Sequence, residues 1–253
     1  MSKDQKPKAI GIIPARYGST RLEGKPLIDI CGKTMIRRVY EQAKKALEHV
    51  LVATDDKRIY DEVISFGGNV VITSKNHTTG TNRCLEAYQI FQKENNIKFD
   101  VVLNIQGDEP LLEPNQIISL VSCFDDDKTE MATLVIPTNK QEELNSGVFV
   151  VFNKKDNAMY FSRAVIPAIR DEEKENWSKH NTYYKHVGMY GFTPQTLNDF
   201  ANMQETNLEK NEKLEQLRWL ENGNDIKIAI TKHNSIPVDT LKDVNKVKKI
   251  IGC

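Results

Sequence analysis

The 253-residue chain carries no excess of either charge: 35 Lys and Arg balance 35 Asp and Glu. Without net or clustered positive charge, a dominant role in gripping nucleic acid or an anionic membrane surface is not expected. No run approaches the roughly 18 apolar residues a membrane helix requires, and the polar start MSKDQKPK has no apolar signal core. Membrane insertion and export are therefore not expected, and the cytoplasm is the expected location. Cysteine is scarce. Cys31, Cys84, Cys123 and Cys253 are scattered with no CxxC pair, which argues against a structural zinc site or a disulfide framework and for reduced thiols. No internal repeat or low-complexity linker is present. What is present, 39% hydrophobic and 28% charged residues, fits a globular chain that buries roughly three-quarters of its unfolded surface.

The first half alternates strand-like and helix-like segments. Strands are expected at 9–13, 50–54, 70–73 and 100–105, and helices at 35–47, 57–66, 81–92 and 114–123, the second of these stopped by Gly67-Gly68. Such alternation implies a parallel sheet with helices on both faces, and ligands in such sheets bind beyond the carboxyl ends of the strands. Three loops then matter: 14–26, 74–83 and 106–111. The middle of the chain is richer in strands, at 131–137, 148–152, 158–161 and 186–192, and reads as an inserted β-rich lobe. A helix over 207–221, with Thr206-x-x-Glu209 as capping box and Gly223 as stop, a strand over 226–231 and a helix over 240–251 complete the chain.

The loop after the first strand is the most informative segment. Pro14-Ala-Arg-Tyr-Gly-Ser-Thr-Arg-Leu-Glu-Gly-Lys-Pro-Leu27 combines two glycines, two small hydroxyl side chains and the cations Arg16, Arg21 and Lys25. Small residues let backbone N–H groups approach phosphate oxygens, and cations neutralise them. It is not a Walker A loop, because Gly18 and Gly24 are spaced too widely and Pro26 stands where a Mg²⁺-binding hydroxyl belongs. No GxGxxG dinucleotide fingerprint is present either. On composition alone, a phosphate cradle and a solvated basic turn both remain open. Asp108, after the strand at 100–105, reads as a carboxylate at the mouth of the sheet or as a turn cap. Asp239, before the last helix, reads from position alone as an N-cap.

This loop resembles the nucleotide-binding signature of the sugar-acid cytidylyltransferases, and of the 3-deoxy-manno-octulosonate (KDO) cytidylyltransferase family in particular. Further segments carry the same resemblance: Ala53-Thr54-Asp55-Asp56, Thr79-Gly80-Thr81-Asn82-Arg83, Asn104-Ile-Gln-Gly-Asp-Glu-Pro110, Tyr160-Phe-Ser-Arg163, Tyr184-Lys-His-Val-Gly188, Glu215-Gln-Leu-Arg218 and Val238-Asp-Thr240. Together they span about residues 9 to 250, and their combination is what makes the resemblance specific.

The resemblance implies a single domain over 1–253 with a three-layer, Rossmann-like α/β nucleotidyltransferase fold of the GT-A-like kind. It implies a mostly parallel central sheet, with the inserted β-rich lobe at about 132–200 pairing two copies as a homodimer. The implied reaction transfers CMP from CTP to the anomeric hydroxyl of KDO, releasing pyrophosphate and supplying CMP-KDO for lipopolysaccharide biosynthesis. Lys25, Asp108 and Asp239 are implied as the catalytic set, with Asp108 and Asp239 as Mg²⁺ ligands. The pairing suits a hard cation that takes one or two carboxylates and completes its shell with phosphate oxygens and water. Glu109 is left outside this set. Implied nucleotide contacts are Ala15, Arg16, Gly18, Ser19, Thr20, Arg21, Lys25, Gly80, Thr81 and Arg83. For Arg83, an exposed place in the first turn of a helix is an equal reading. Implied sugar contacts are Gln106, Arg163, His186, Glu215 and Gln216, with Arg163 suited to clamp the sugar carboxylate through two hydrogen bonds. Since Glu215 and Gln216 fall on the expected helix, only one of them is expected to reach the sugar.

Two departures stand out. Glu23 replaces the proline usual in the loop, and Phe149 stands where family members tend to carry lysine, leaving the preferred sugar acid open. A cytidylyltransferase for another acidic sugar, such as a sialic acid or an amino variant of KDO, is the nearest alternative. A glycosyltransferase of similar architecture is disfavoured because Gln106-Gly107-Asp108 lacks the first Asp of an Asp-x-Asp motif. A non-catalytic nucleotide-binding module is disfavoured by the retention of Lys25, Asp108 and Asp239.

Overall fold

The computed structural model describes residues 6–18, 22–234 and 236–253. Ser19, Thr20 and Arg21 of the expected nucleotide loop lie outside them. In chain order the elements are β1 (Ala9–Ala15), β2 (Asp29–Ile30), β3 (Lys33–Thr34), α1 (Met35–Ala46), β4 (His49–Thr54), α2 (Lys57–Ser65), β5 (Val70–Ile72), α3 (Gly80–Asn95), β6 (Val101–Asn104) and α4 (Pro114–Ser122). The second half supplies β7 (Met131–Thr138), β8 (Phe149–Phe152), β9 (Ala158–Ser162), α5 (Trp177–His180), β10 (Tyr183–Phe192), α6 (Pro194–Asn202), α7 (Asn207–Glu212), α8 (Leu217–Glu221), β11 (Lys227–Ile230) and α9 (Leu241–Ile251).

Strand β1 shows why the sheet is covered on both sides. Its side chains alternate between faces, and both faces are apolar. Ile10 and Ile12 enter one core cluster, with Cys84, Ala87 and Tyr88 of α3 and Leu197 and Phe200 of α6. Ala9, Ile13 and Ala15 enter the other, with Ile36, Val39 and Ala43 of α1, Ile59 and Val63 of α2 and Ile117 and Leu120 of α4. The result is the expected three-layer α/β fold.

The main sheet runs β11-β7-β10-β6-β1-β4-β5. The β6–β1, β1–β4, β4–β5 and β11–β7 pairs are parallel, while β10 is antiparallel to both β6 and β7. Only β10 is reversed along this path, so the sheet is mostly parallel. The carboxyl ends of β1, β4 and β6 therefore open on one edge, where the loops singled out by sequence converge.

The stretch expected as an inserted lobe is only partly separate. β7 and β10 are interior strands of the main sheet, and only the β8–β9 pair stands off the seven-strand path, attached through β10. Phe149 on β8 is buried in a small cluster with Leu144, Val165 and Tyr183, so the departure from lysine is absorbed by apolar packing.

Two further expectations are corrected. The helix expected over 207–221 is broken: α7 ends at Glu212, its C-cap Lys213 takes a left-handed φ of 52°, and α8 restarts at Leu217. Thr206 makes no side-chain cap, so the expected capping box is absent there. The cysteines are also not all thiols. Cys31 and Cys253 form a disulfide across 222 residues of sequence, with Cα atoms 5.9 Å apart, within the range such a bond spans. Cys84 and Cys123 are free. The fold supplies the proximity: α9 packs Val244 and Val247 against Ile30 and Met35, beside the β2–β3 turn that carries Cys31. No helix among the described residues is long and apolar enough to cross a membrane.

Candidate active site

Two cavities, of about 280 and 350 Å³, open beyond the carboxyl end of β6, the first of them also against the carboxyl end of β1. Gln106 and Asp108 line both, so the cavities share a wall. The wall depends on Gly107. A Cβ there would lie 2.9 Å from the carbonyl oxygen of Pro14, so only glycine lets the 106–108 turn press against β1. The chain after β1 is folded back similarly: the Gly24 amide donates to the Tyr17 carbonyl at 3.0 Å, and Gly24 holds a φ of +66° directly beneath the Tyr17 ring. That reversal starts the short 3₁₀ turn Lys25–Leu27.

Lys25, Asp108 and Asp239 meet here. Lys25 Nζ donates to Asp108 Oδ2 at 2.6 Å and to Asp239 Oδ1 at 3.2 Å. A backbone bond from Val238 N to Asp108 O, 2.9 Å, brings the two acidic segments together. Capping of α9 falls to Thr240 and Asp243, which form a reciprocal box, so Asp239 is not the N-cap. Among the described residues, no group of three or more His, Cys, Asp or Glu forms a metal cluster. Two carboxylates already gathered around one cation are a donor set that fits a hard divalent ion sharing substrate oxygens. Glu109 is buried and lines the second cavity.

The first cavity is lined by Ala15, Arg16 and Lys25 on one side and by the 77–80 loop on the other. Gly80 begins α3, whose N-terminus, capped by the Thr79 hydroxyl, presents the positive end of the helix dipole. Gly18 is not among the lining residues. Arg83 lines the cavity yet is not exposed. It is 3% accessible and spans Thr73 Oγ1 at 2.6 Å and Asp55 Oδ2 at 2.9 Å, tying the loop after β5 to the end of β4. His77 also lines this cavity, its ring held by the Glu86 carboxylate, which accepts from the Ser74 amide as well. Sequence reasoning picked out the 74–83 loop but not His77, whose signal was its place three residues before Gly80.

The second cavity gathers Gln106, His186, Tyr190, Glu215 and Gln216. Gln106 Nε2 donates to the Gly188 carbonyl at 2.9 Å, at the point where β10 slips register between Val187 and Tyr190. Such a bulge re-aims side chains next to a site. His186 is half-buried, and its removal from solvent pulls the ring's pKa down to about 3 and keeps it neutral. Its Nε2 lies 2.9 Å from Thr133 Oγ1, and that hydroxyl donates to the Met189 carbonyl at 2.8 Å. Its single proton being used, the hydroxyl accepts from His186 Nε2–H, which leaves Nδ1 as an acceptor.

The break at Lys213 changes the expectation for Glu215 and Gln216. Both occupy the turn between α7 and α8, and both line the cavity. Burial raises the Glu215 pKa, the Thr81 hydroxyl and Arg218 opposing it. Glu215 Oε1 and Gln216 Nε2 are buried without hydrogen-bond partners, an acceptor and a donor in one wall. Thr81 lines neither cavity; its hydroxyl donates to Glu215 Oε2 at 2.7 Å. Arg163 is likewise outside both linings. Its guanidinium donates to the carbonyls of Glu212 and Lys213, at 2.6 and 3.2 Å, and so braces the turn from behind. Tyr190 was missed from sequence because a tyrosine in an apolar strand carries no mark of which cavity it faces.

Residues 10–227 match the family described as Cytidylyltransferase. The chain is 49% identical to a 3-deoxy-manno-octulosonate cytidylyltransferase of Parabacteroides distasonis, with 94% of this chain and 96% of the relative covered. It is 48% identical to one of Fusobacterium nucleatum, with 95% of each covered. Among solved structures, CMP:2-keto-3-deoxy-manno-octonic acid synthetase complexed with CTP superposes with a TM-score of 0.86 at 37% identity, covering 96% of this chain and 98% of that one. A 4-diphosphocytidyl-2C-methyl-D-erythritol synthase from Anaerococcus prevotii, at 12% identity and a TM-score of 0.60, shares the fold. On the strength of these matches over nearly its whole length, the chain belongs to the 3-deoxy-manno-octulosonate cytidylyltransferase family.

Proposed function

We infer that the protein transfers the cytidylyl group of CTP to KDO, giving CMP-KDO and pyrophosphate. The observation that carries this reading is the contact of one ammonium, Lys25 Nζ, with two carboxylates, Asp108 and Asp239, on the wall shared by two cavities. The first cavity takes CTP, with its phosphates toward Arg16 and Lys25. The second takes the sugar acid, whose hydroxyls meet the wall that carries Glu215 and Gln216.

The anomeric oxygen of the sugar attacks the α-phosphorus in line, and pyrophosphate leaves. Such displacements are accelerated mainly by positioning and by charge placed in advance. Lys25 neutralises charge at the α-phosphate, and Arg16 holds the departing phosphates. Neutral His186 offers Nδ1 as an acceptor to a sugar hydroxyl, while Gln106, fixed by Gly188, faces both substrates. Asp108 and Asp239 would hold Mg²⁺, which when bound lowers the pKa of the sugar hydroxyl and offsets charge on the phosphate.

The consumption of CTP supports a cytoplasmic reaction, and the product supports a place in lipopolysaccharide assembly. We also propose a homodimer formed through the off-path β8–β9 pair, supported by Met159, an apolar side chain 63% exposed on β9. The test of the reading is pyrophosphate release from CTP with KDO, with and without Mg²⁺, beside a sialic acid control. Release that needs both KDO and Mg²⁺ is expected. Release with sialic acid alone would transfer the assignment to that sugar, and silence with every acidic sugar would make the protein a nucleotide-binding module.

A further inference from the structure

We propose that Thr81 is a positioning residue for the sugar acid rather than a contact for the nucleotide, and that it couples the two cavities. The inference rests on the reading of the second cavity as the sugar site. Thr81 sits at the second position of α3, directly after Gly80, which lines the nucleotide cavity. Its own side chain is 2% accessible and points away from that cavity, donating to Glu215 Oε2 at 2.7 Å across 134 residues of sequence. Glu215 lines the sugar cavity. One hydrogen bond therefore runs from the helix that faces CTP to the carboxylate that faces the sugar.

Two features make that bond consequential. Glu215 has weaker restraints besides: the Thr79 hydroxyl also favours its charged form, and the nearest guanidinium atom, Arg218 Nη2, is 3.9 Å from Oε1 and already engaged with Glu209. The Thr81 bond, the shortest of these contacts, thus sets the rotation of the carboxylate that lines the sugar cavity. Burial also disfavours the charged form of Glu215, and the Thr81 hydroxyl opposes that effect. Without the hydroxyl, the carboxylate loses orientation and acceptor strength together. Coupling between sites is reciprocal, so nucleotide seated against the start of α3 and sugar seated against Glu215 each favour the other through this contact.

The experiment is steady-state kinetics of Thr81→Val, varying KDO and CTP separately, with the melting temperature of each variant recorded. Loss of a hydrogen bond to a charged group is expected to raise KM for KDO about tenfold, with KM for CTP at low KDO nearly unchanged. Thr81→Ser, which keeps the hydroxyl, is expected to restore the wild-type KM for KDO. If valine is not accommodated, Thr81→Ser against Thr81→Ala makes the same comparison. A rise in KM for CTP alone would return Thr81 to the nucleotide site, and a lowered melting temperature with both KM values unchanged would make the bond purely structural; either overturns the proposal. Wild-type turnover with KDO is the separate control. If the wild type uses a different sugar acid, the activity reading fails while the KM split, measured on that acid, still decides the role of Thr81.

Discussion

Lys25 Nζ lies 2.6 Å from Asp108 Oδ2, and this contact joins the loop after β1 to the turn after β6. The same ammonium reaches Asp239, so three separate segments are pinned at one point. Their carboxylates would repel one another without a cation between them.

Asp108→Asn removes one of those charges while keeping shape. Pyrophosphate release is expected to fall at least about a hundredfold, the scale of losing a charge-stabilising group in a displacement reaction. The melting temperature is expected to hold, because the amide still accepts from Lys25. Near-wild-type turnover in a coupled phosphate assay would take Asp108 out of the chemistry.

Arg163→Ala tests the brace behind the sugar cavity. Losing its bonds to the Glu212 and Lys213 carbonyls is expected to cost about 1 kcal/mol of stability in denaturant melts. Through the loosened turn, KM for the sugar acid is expected to rise more than KM for CTP. A larger effect on CTP would contradict the placement of Arg163 behind Glu215.

His186 gives the protein a stability dependence on pH. In the unfolded chain its ring protonates below the ordinary value of 6.5, whereas in the folded protein burial holds protonation off until about 3. Above 6.5 the ring is neutral in both states and contributes nothing. Between 6.5 and 3 the unfolded state alone gains a proton, so folding weakens by about 1.4 kcal/mol per pH unit from this group. In His186→Gln the drop in melting temperature from pH 7 to pH 5 is expected to be smaller than in the wild type. Parallel curves for the two proteins would show that the ring is not buried neutral.

The Cys31–Cys253 bond predicts two titratable thiols per chain in denaturant before reduction and four after. On the chain-entropy account, closing so long a loop contributes up to about 5 kcal/mol. A dithiol reductant is therefore expected to lower the melting temperature of the wild type but not of Cys253→Ser. In a reducing cytoplasm the pair would rest open. Four thiols in air-oxidised protein would refute the bond.

What could be read in the sequence followed from local periodicity. α1 and β4 fall within a residue of their expected bounds because their apolar spacing is regular and the Thr34 cap is explicit. What could not be read depends on distant partners. The break at Lys213 has neither glycine nor proline to announce it, so 207–221 looked continuous and Glu215 and Gln216 looked incompatible as joint contacts. β7 is a short apolar run and β10 a partly alternating one, and neither pattern says which sheet a strand joins. The sequence does not decide between base contact and exposure for Arg83, because its partners, Thr73 and Asp55, are brought to it only by the fold.

Joining Cys31 to Cys253 closes the chain between them into a covalent ring. A protease that nicks the exposed segment around 170–176 would linearise the ring without shedding a fragment. On a non-reducing gel the clipped protein would still run as one species, and the two pieces would separate only once the sulfurs part.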